Sequence, residues 1–98
     1  MNIESINEIK ARYKSSFVDK KKIIDEFLSE LDRSSGSATI LYQKIHSDLH
    51  KLAGSLGMYG YDDMAVNARM GMEFADNEDK QSLEGSLKKL SVMLLENS

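Results

Sequence analysis

His46 and His50 are the two histidines of a 98-residue chain, set four apart in Ile45-His46-Ser47-Asp48-Leu49-His50. On a helix that spacing puts both imidazoles on one face. A neutral imidazole nitrogen is a competent nucleophile near pH 7, because its unperturbed pKa is about 6.5. The same spacing serves metal binding, but two imidazoles do not complete a tetrahedral site and no glutamate follows His46. The expectation is therefore no metal. Gly54 and Gly57 stand about one and two turns after His50. Glycine inside a helix costs about 1 kcal/mol relative to alanine. Accepting that cost beside a histidine keeps bulk away from the imidazole and suits close approach by another macromolecule. The opposing reading is that Gly54 lets a neighbouring helix pack tightly.

These residues need a helix to carry them, and the chain is patterned for helices throughout. It has no proline. Ile6, Ile9, Tyr13 and Phe17 recur at three and four, as do Phe17, Ile24, Phe27, Leu28 and Leu31. Two serines, Ser15 and Ser16, divide this run into helices over about 2–14 and 16–32. Arg33-Ser34-Ser35-Gly36-Ser37 reads as a loop, with Ser37 as N-cap of a helix over about 38–58. Gly60 is the expected stop, since the left-handed conformation costs glycine little. Asp62 and Asp63 open the next helix, where negative charge is favourable; its inner face is Met64, Ala65, Ala68, Met72 and Ala75. After a break at Asp76-Asn77-Glu78-Asp79, a helix over about 79–96 turns Leu83, Leu87, Leu90 and Leu94 inward. Helices joined by short loops are antiparallel neighbours. The expected fold is all-α: an antiparallel four-helix bundle with a short additional N-terminal helix, in one domain over 1–98.

A helical wheel places Leu41, Ile45, Leu49, Leu52 and Leu56 in one core stripe. His46, Ala53, Gly54 and Gly57 fall within about 60° of His50, on an outer face of small residues. His46 is expected exposed at the edge of that face. Ser55 stands about 140° away and reads as structural, bonding a carbonyl one turn back. Lys51 and Lys44 lie about 100–120° round from His50.

The run His50-Lys51-Leu52-Ala53-Gly54-Ser55, followed by Gly60 and Asp63-Met64, resembles the signature of histidine-containing phosphotransfer (HPt) domains. Ala68 and Met72-Glu73 match the small residue and the Leu/Met-Glu pair of the following helix in that family. The signature covers about 25 residues, and the helical outline is similar over the whole chain. The resemblance implies a phosphorelay intermediate. His50 would be the phosphoacceptor, exchanging a phosphoryl group with an aspartate on a response-regulator receiver domain. Gly54 would leave room for the receiver's active site, with His46, Ala53, Gly57 and Lys51 around it. Leu52, Ser55 and Gly60 would hold the helix. Many family members carry lysine three residues after the histidine, where its charge meets the phosphoryl oxygens; here that residue is Ala53.

The rest of the composition narrows the function. The chain offers no P-loop, no glycine-rich nucleotide loop and no clustered carboxylates for magnesium. The resemblance thus implies a phosphoryl carrier without its own cofactor or ATP site; magnesium would come with the receiver, and a hybrid sensor histidine kinase would stand upstream. Absence of cysteine excludes disulfides, thiolate zinc and a cysteine nucleophile. A net charge of −3 argues against nucleic acid. No apolar run approaches the ~20 residues of a membrane span, and the N-terminus lacks a signal-peptide pattern. A cytoplasmic, free-standing monomer is the expectation. Lys10, Arg12, Lys14, Lys20, Lys21 and Lys22 form a basic stretch, read as a solvated face or a steering patch. Met58, Met64, Met70, Met72 and Met93 read mainly as core or cap residues. The alternative function is a helical adapter that binds a receiver or kinase without carrying phosphate.

Overall fold

The computed structural model describes the backbone over 3–34 and 38–98, and side chains within it from Asn7 onward. The elements are α1 (Ile3–Ser15), α2 (Phe17–Arg33), α3 (Thr39–Met58), α4 (Asp62–Asp76) and α5 (Lys80–Glu96). This is the expected all-α fold, with boundaries displaced by a residue or so. The cap expected at Ser37 lies outside the described residues.

Helix α1 joins α2 at a bend on Ser16, whose hydroxyl and N–H both donate to the Tyr13 carbonyl. The side chains from Asn7 to Arg12 are exposed, including Ile9, which periodicity places in an apolar stripe. That expectation fails because α1 runs past the end of the bundle, stretching the molecule to 52 × 19 × 19 Å. Its last turn does engage. Tyr13 stacks on Tyr59 with ring centroids 4.2 Å apart and meets Phe17 edge-on at 5.5 Å. Burial holds the Tyr13 phenol above its ordinary pKa, although its bond to Ser55 opposes the shift.

Helices α2 to α5 form the bundle. The pairs in closest contact are α3 with α4, α2 with α5, and α4 with α5. Phe17, Leu31, Ile45, Leu49, Leu56, Leu83, Leu87, Leu90 and Leu94 are fully buried between them. Leu41, expected in the core stripe, is only partly buried; Tyr42 is buried instead. Polar groups tie helices across the core. Asn67 donates to the Ser86 carbonyl at 2.8 Å, and the Ser86 hydroxyl returns a bond to the Asn67 carbonyl at 3.0 Å. Ser91 donates to Asp25 at 2.6 Å, linking α5 to α2. Among the described residues no buried side-chain polar atom lacks a partner, as burial of such groups requires.

The turn after α3 explains its abrupt end. Gly60 has φ +86°, and the Tyr61 N–H reaches back to the Leu56 carbonyl at 2.9 Å. The turn after α4 closes the same way, with Glu78 at φ +50° and the Asp79 N–H bonded to the Phe74 carbonyl at 2.9 Å.

One expectation about packing needs correction. Of the methionines, Met64 is buried and Met72 and Met93 pack partly against the core, but Met58 is 77% exposed and Met70 is 47% exposed. Met58 stands eight residues after His50 and shares its outer side, so it cannot reach the core. The glycine in tightest contact is not one near His50. It is Gly71 of α4, where an added Cβ would come within 2.8 Å of Leu49 Cδ1 and 3.3 Å of Ser86 Oγ. Among the described residues no helix is long and apolar enough to cross a membrane.

Candidate functional site

Helix α3 carries every candidate residue except Gly60, and its packing decides which are accessible. It is buried on Tyr42, Ile45, Leu49, Leu52, Ala53 and Leu56. That arc is wider than a leucine stripe alone, because α4 brings small residues up to it. Leu49 lies against Gly71, and Gly57 faces the Ala65 Cβ at 4.0 Å from its own Cβ position. These contacts set an antiparallel register in which Ala53 lies opposite Ala68.

Ala53 is therefore 4% exposed. It belongs to the α3–α4 contact and not to an open face, contrary to the wheel. A long side chain there has to displace α4. Ala53→Lys is expected to lower stability by about 1–3 kcal/mol through overpacking. For a chain of this size that is a fall in Tm of roughly 5–20 °C, measurable by circular dichroism on heating. An unchanged Tm would show that lysine escapes to solvent and that the small residue is not needed.

His50 and Gly54 stand clear of that contact. Both are exposed. Among the described residues, apart from its own turn of helix, nothing lies within 4 Å of the Cβ position of Gly54, so the glycine serves no packing against them. The His50 ring makes no hydrogen bond or ion pair with the described residues. An imidazole held this way is open to an incoming electrophile, and the small residue one turn later leaves the approach unobstructed. Gly57 is exposed as well, at the α4 edge of the same face.

His46 is not a free surface residue. It is partly buried, and its Nδ1 lies 2.8 Å from Asp76 Oδ1, with the Met72 carbonyl at 3.5 Å. Both partners accept, so the Nδ1 nitrogen carries a proton in either charge state of the ring. Asp76 reads in the sequence as part of a loop, and only the antiparallel α3–α4 register brings it to His46. Among the described residues no three of His, Asp or Glu converge as a metal-holding group.

The structural residues act as their types suggest. Ser55 donates to the Leu52 carbonyl at 3.2 Å, and its hydroxyl lies 2.6 Å from the Tyr13 hydroxyl. It thereby fixes the last turn of α1 against α3, a role its position alone could not reveal. Leu52 is buried and Lys51 exposed. Both line a groove of about 260 Å³ between α2 and α3, together with Lys20, Ile24, Phe27 and Asp48. The basic stretch is partly engaged locally: Lys21 pairs with Asp25 at 2.6 Å, and Lys20 donates to Ser16 at 2.9 Å.

Comparison of the chain with protein-family models, with curated proteins and with solved structures found no match.

Proposed function

We propose that this chain is a phosphoryl carrier of the histidine-containing phosphotransfer type, with His50 as the group that is phosphorylated. The observation that carries this reading is the exposed His50 imidazole beside an exposed Gly54 with open space above it. A receiver domain presents an aspartyl phosphate. One ring nitrogen of His50 forms the N–P bond as the O–P bond to the aspartate breaks, and the carboxylate leaves. Such a transition state asks mainly for positioning and charge neutralisation. A rigid helix supplies the positioning, and the receiver's magnesium supplies much of the charge. Transfer in the opposite direction uses the same geometry. Receiver domains and a hybrid sensor kinase are the proposed partners, and the carrier has no catalytic machinery of its own.

The test is transfer from a phosphorylated receiver with magnesium to the wild type and to His50→Ala. Acid-labile, base-stable label is expected on the wild type and none on the variant. His50→Ala should also melt within a few degrees of wild type, because an exposed side chain away from special features contributes only about 0.5 kcal/mol. Label retained by folded His50→Ala would refute His50 as acceptor. Receivers that bind the wild type without labelling it would favour the adapter reading.

A further inference from the structure

We propose that His46, held by Asp76, is a second imidazole that clamps the phosphoryl group carried by His50, and that it takes up a proton when His50 is phosphorylated. The inference rests on the reading of His50 as phosphoacceptor.

Spacing supplies the proximity. Residues four apart on a helix have Cβ atoms about 5–6 Å from each other. Helical side chains lean toward the N-terminus, so the His50 ring covers the turn that bears His46. A phosphoryl group on that ring then falls beside the His46 imidazole.

Asp76 supplies the polarity. With Nδ1–H bonded to the Met72 carbonyl and Asp76 Oδ1 at ion-pair distance from the same nitrogen, exchange of a proton is left to Nε2, at the tip of the ring. When Nε2 is unprotonated, its lone pair faces the phosphoryl oxygens and repels them. Once it is protonated, it donates a charge-assisted hydrogen bond to them. The imidazolium keeps Asp76 as counter-ion throughout. Asp76 is also the last residue of α4, where the helix end carries partial negative charge that complements a cation. The other charged residues of the last two turns of α4 and of the turn after it are Arg69, Glu73, Glu78 and Asp79, all exposed; among the described residues only Asp76 is within ion-pair distance of His46. Ala53, buried against α4, cannot provide such a charge. Proton balance is simple: phosphorylation adds an anionic group, and one proton from water binds His46 Nε2.

The experiment uses the whole chain and phosphoramidate, a small donor that phosphorylates imidazoles without a partner protein. The His46 ring is titrated by ¹⁵N-resolved NMR before and after phosphorylation. A dianion about 6 Å away should raise its titration midpoint by about one pH unit. In His50→Ala treated the same way, the midpoint should not move. The His46 charge acts on a single phosphoryl ionisation, so the phosphoryl ³¹P resonance should titrate about half a unit higher in His46→Gln than in wild type. Phosphorylation of His50 that leaves the His46 midpoint within about a third of a unit would overturn the clamp and spare the carrier reading. Label on His46 itself would also overturn the clamp. A chain whose His50 refuses phosphate from every donor would overturn both.

Discussion

Gly54→Leu is expected to give a protein that is more stable than wild type and unable to exchange phosphate with a receiver. The stability follows from helix propensity. Gly54 lies inside α3 with none of the described residues of other elements within 4 Å of its Cβ position. Leucine there meets no obstacle and removes a helix penalty of about 1 kcal/mol. That corresponds to a rise in Tm of roughly 4–8 °C. The loss of transfer follows from side-chain direction. A leucine at this position leans back toward the preceding turn and covers part of His50. A receiver's aspartyl phosphate must reach in-line contact, and a displacement of about 1 Å costs on the order of 100-fold in rate. Phosphoramidate is small and should still label His50 at a rate within a few-fold of wild type. The combination separates access from chemistry. Undiminished transfer from the receiver would end the argument that Gly54 exists to let another macromolecule in. Loss of labelling by the small donor too would place the defect in His50 itself.

Much of this was legible from residue types and spacing. Helix positions came from apolar recurrence at three and four. The stop at Gly60 came from the left-handed backbone that glycine tolerates, and the exposure of His50 and Gly54 from their angle to the leucines of α3. What escaped depends on neighbours. A wheel gives the direction of Ala53 but not the width of the arc that α4 covers, so its burial was invisible. Asp76 sits in an acidic run that resembles a loop, and its approach to His46 depends on interhelical register. Ile9 fits an apolar period, but the bundle ends before α1 does. Tyr13 could be placed on a stripe, while its stacking on Tyr59 and its bond to Ser55 needed the turn after α3 to fold back.

Glycine shows the same limit most sharply, because Gly54 and Gly71 are alike in sequence: each lies inside a helix and costs it about 1 kcal/mol. Their surroundings are opposite. Gly71 is buried, and a Cβ there would stand 2.8 Å from Leu49 Cδ1 and 3.3 Å from Ser86 Oγ. Leu49 is fully buried and cannot swing into open space. Ser86 is held by its bond to the Asn67 carbonyl. Gly71→Ala must therefore shift Leu49 by some tenths of an ångström, a cost that the gain in helix propensity partly offsets. Gly71→Leu has no such accommodation. Its further carbons enter the space where α3, α4 and α5 meet, and the helices must separate. Overpacking of this kind costs about 3 kcal/mol or more, a large share of the roughly 5–15 kcal/mol that keeps a domain folded. The expected result is a Tm lowered by at least about 12 °C, or no cooperative transition at all, with Gly71→Ala in between. His50 follows Leu49 directly but is exposed where Leu49 is buried, so labelling by phosphoramidate should fall only as the folded fraction falls. A Gly71→Leu protein that melts at the wild-type temperature would mean that α3 and α4 are not in the close contact that buries Ala53 and brings Asp76 to His46.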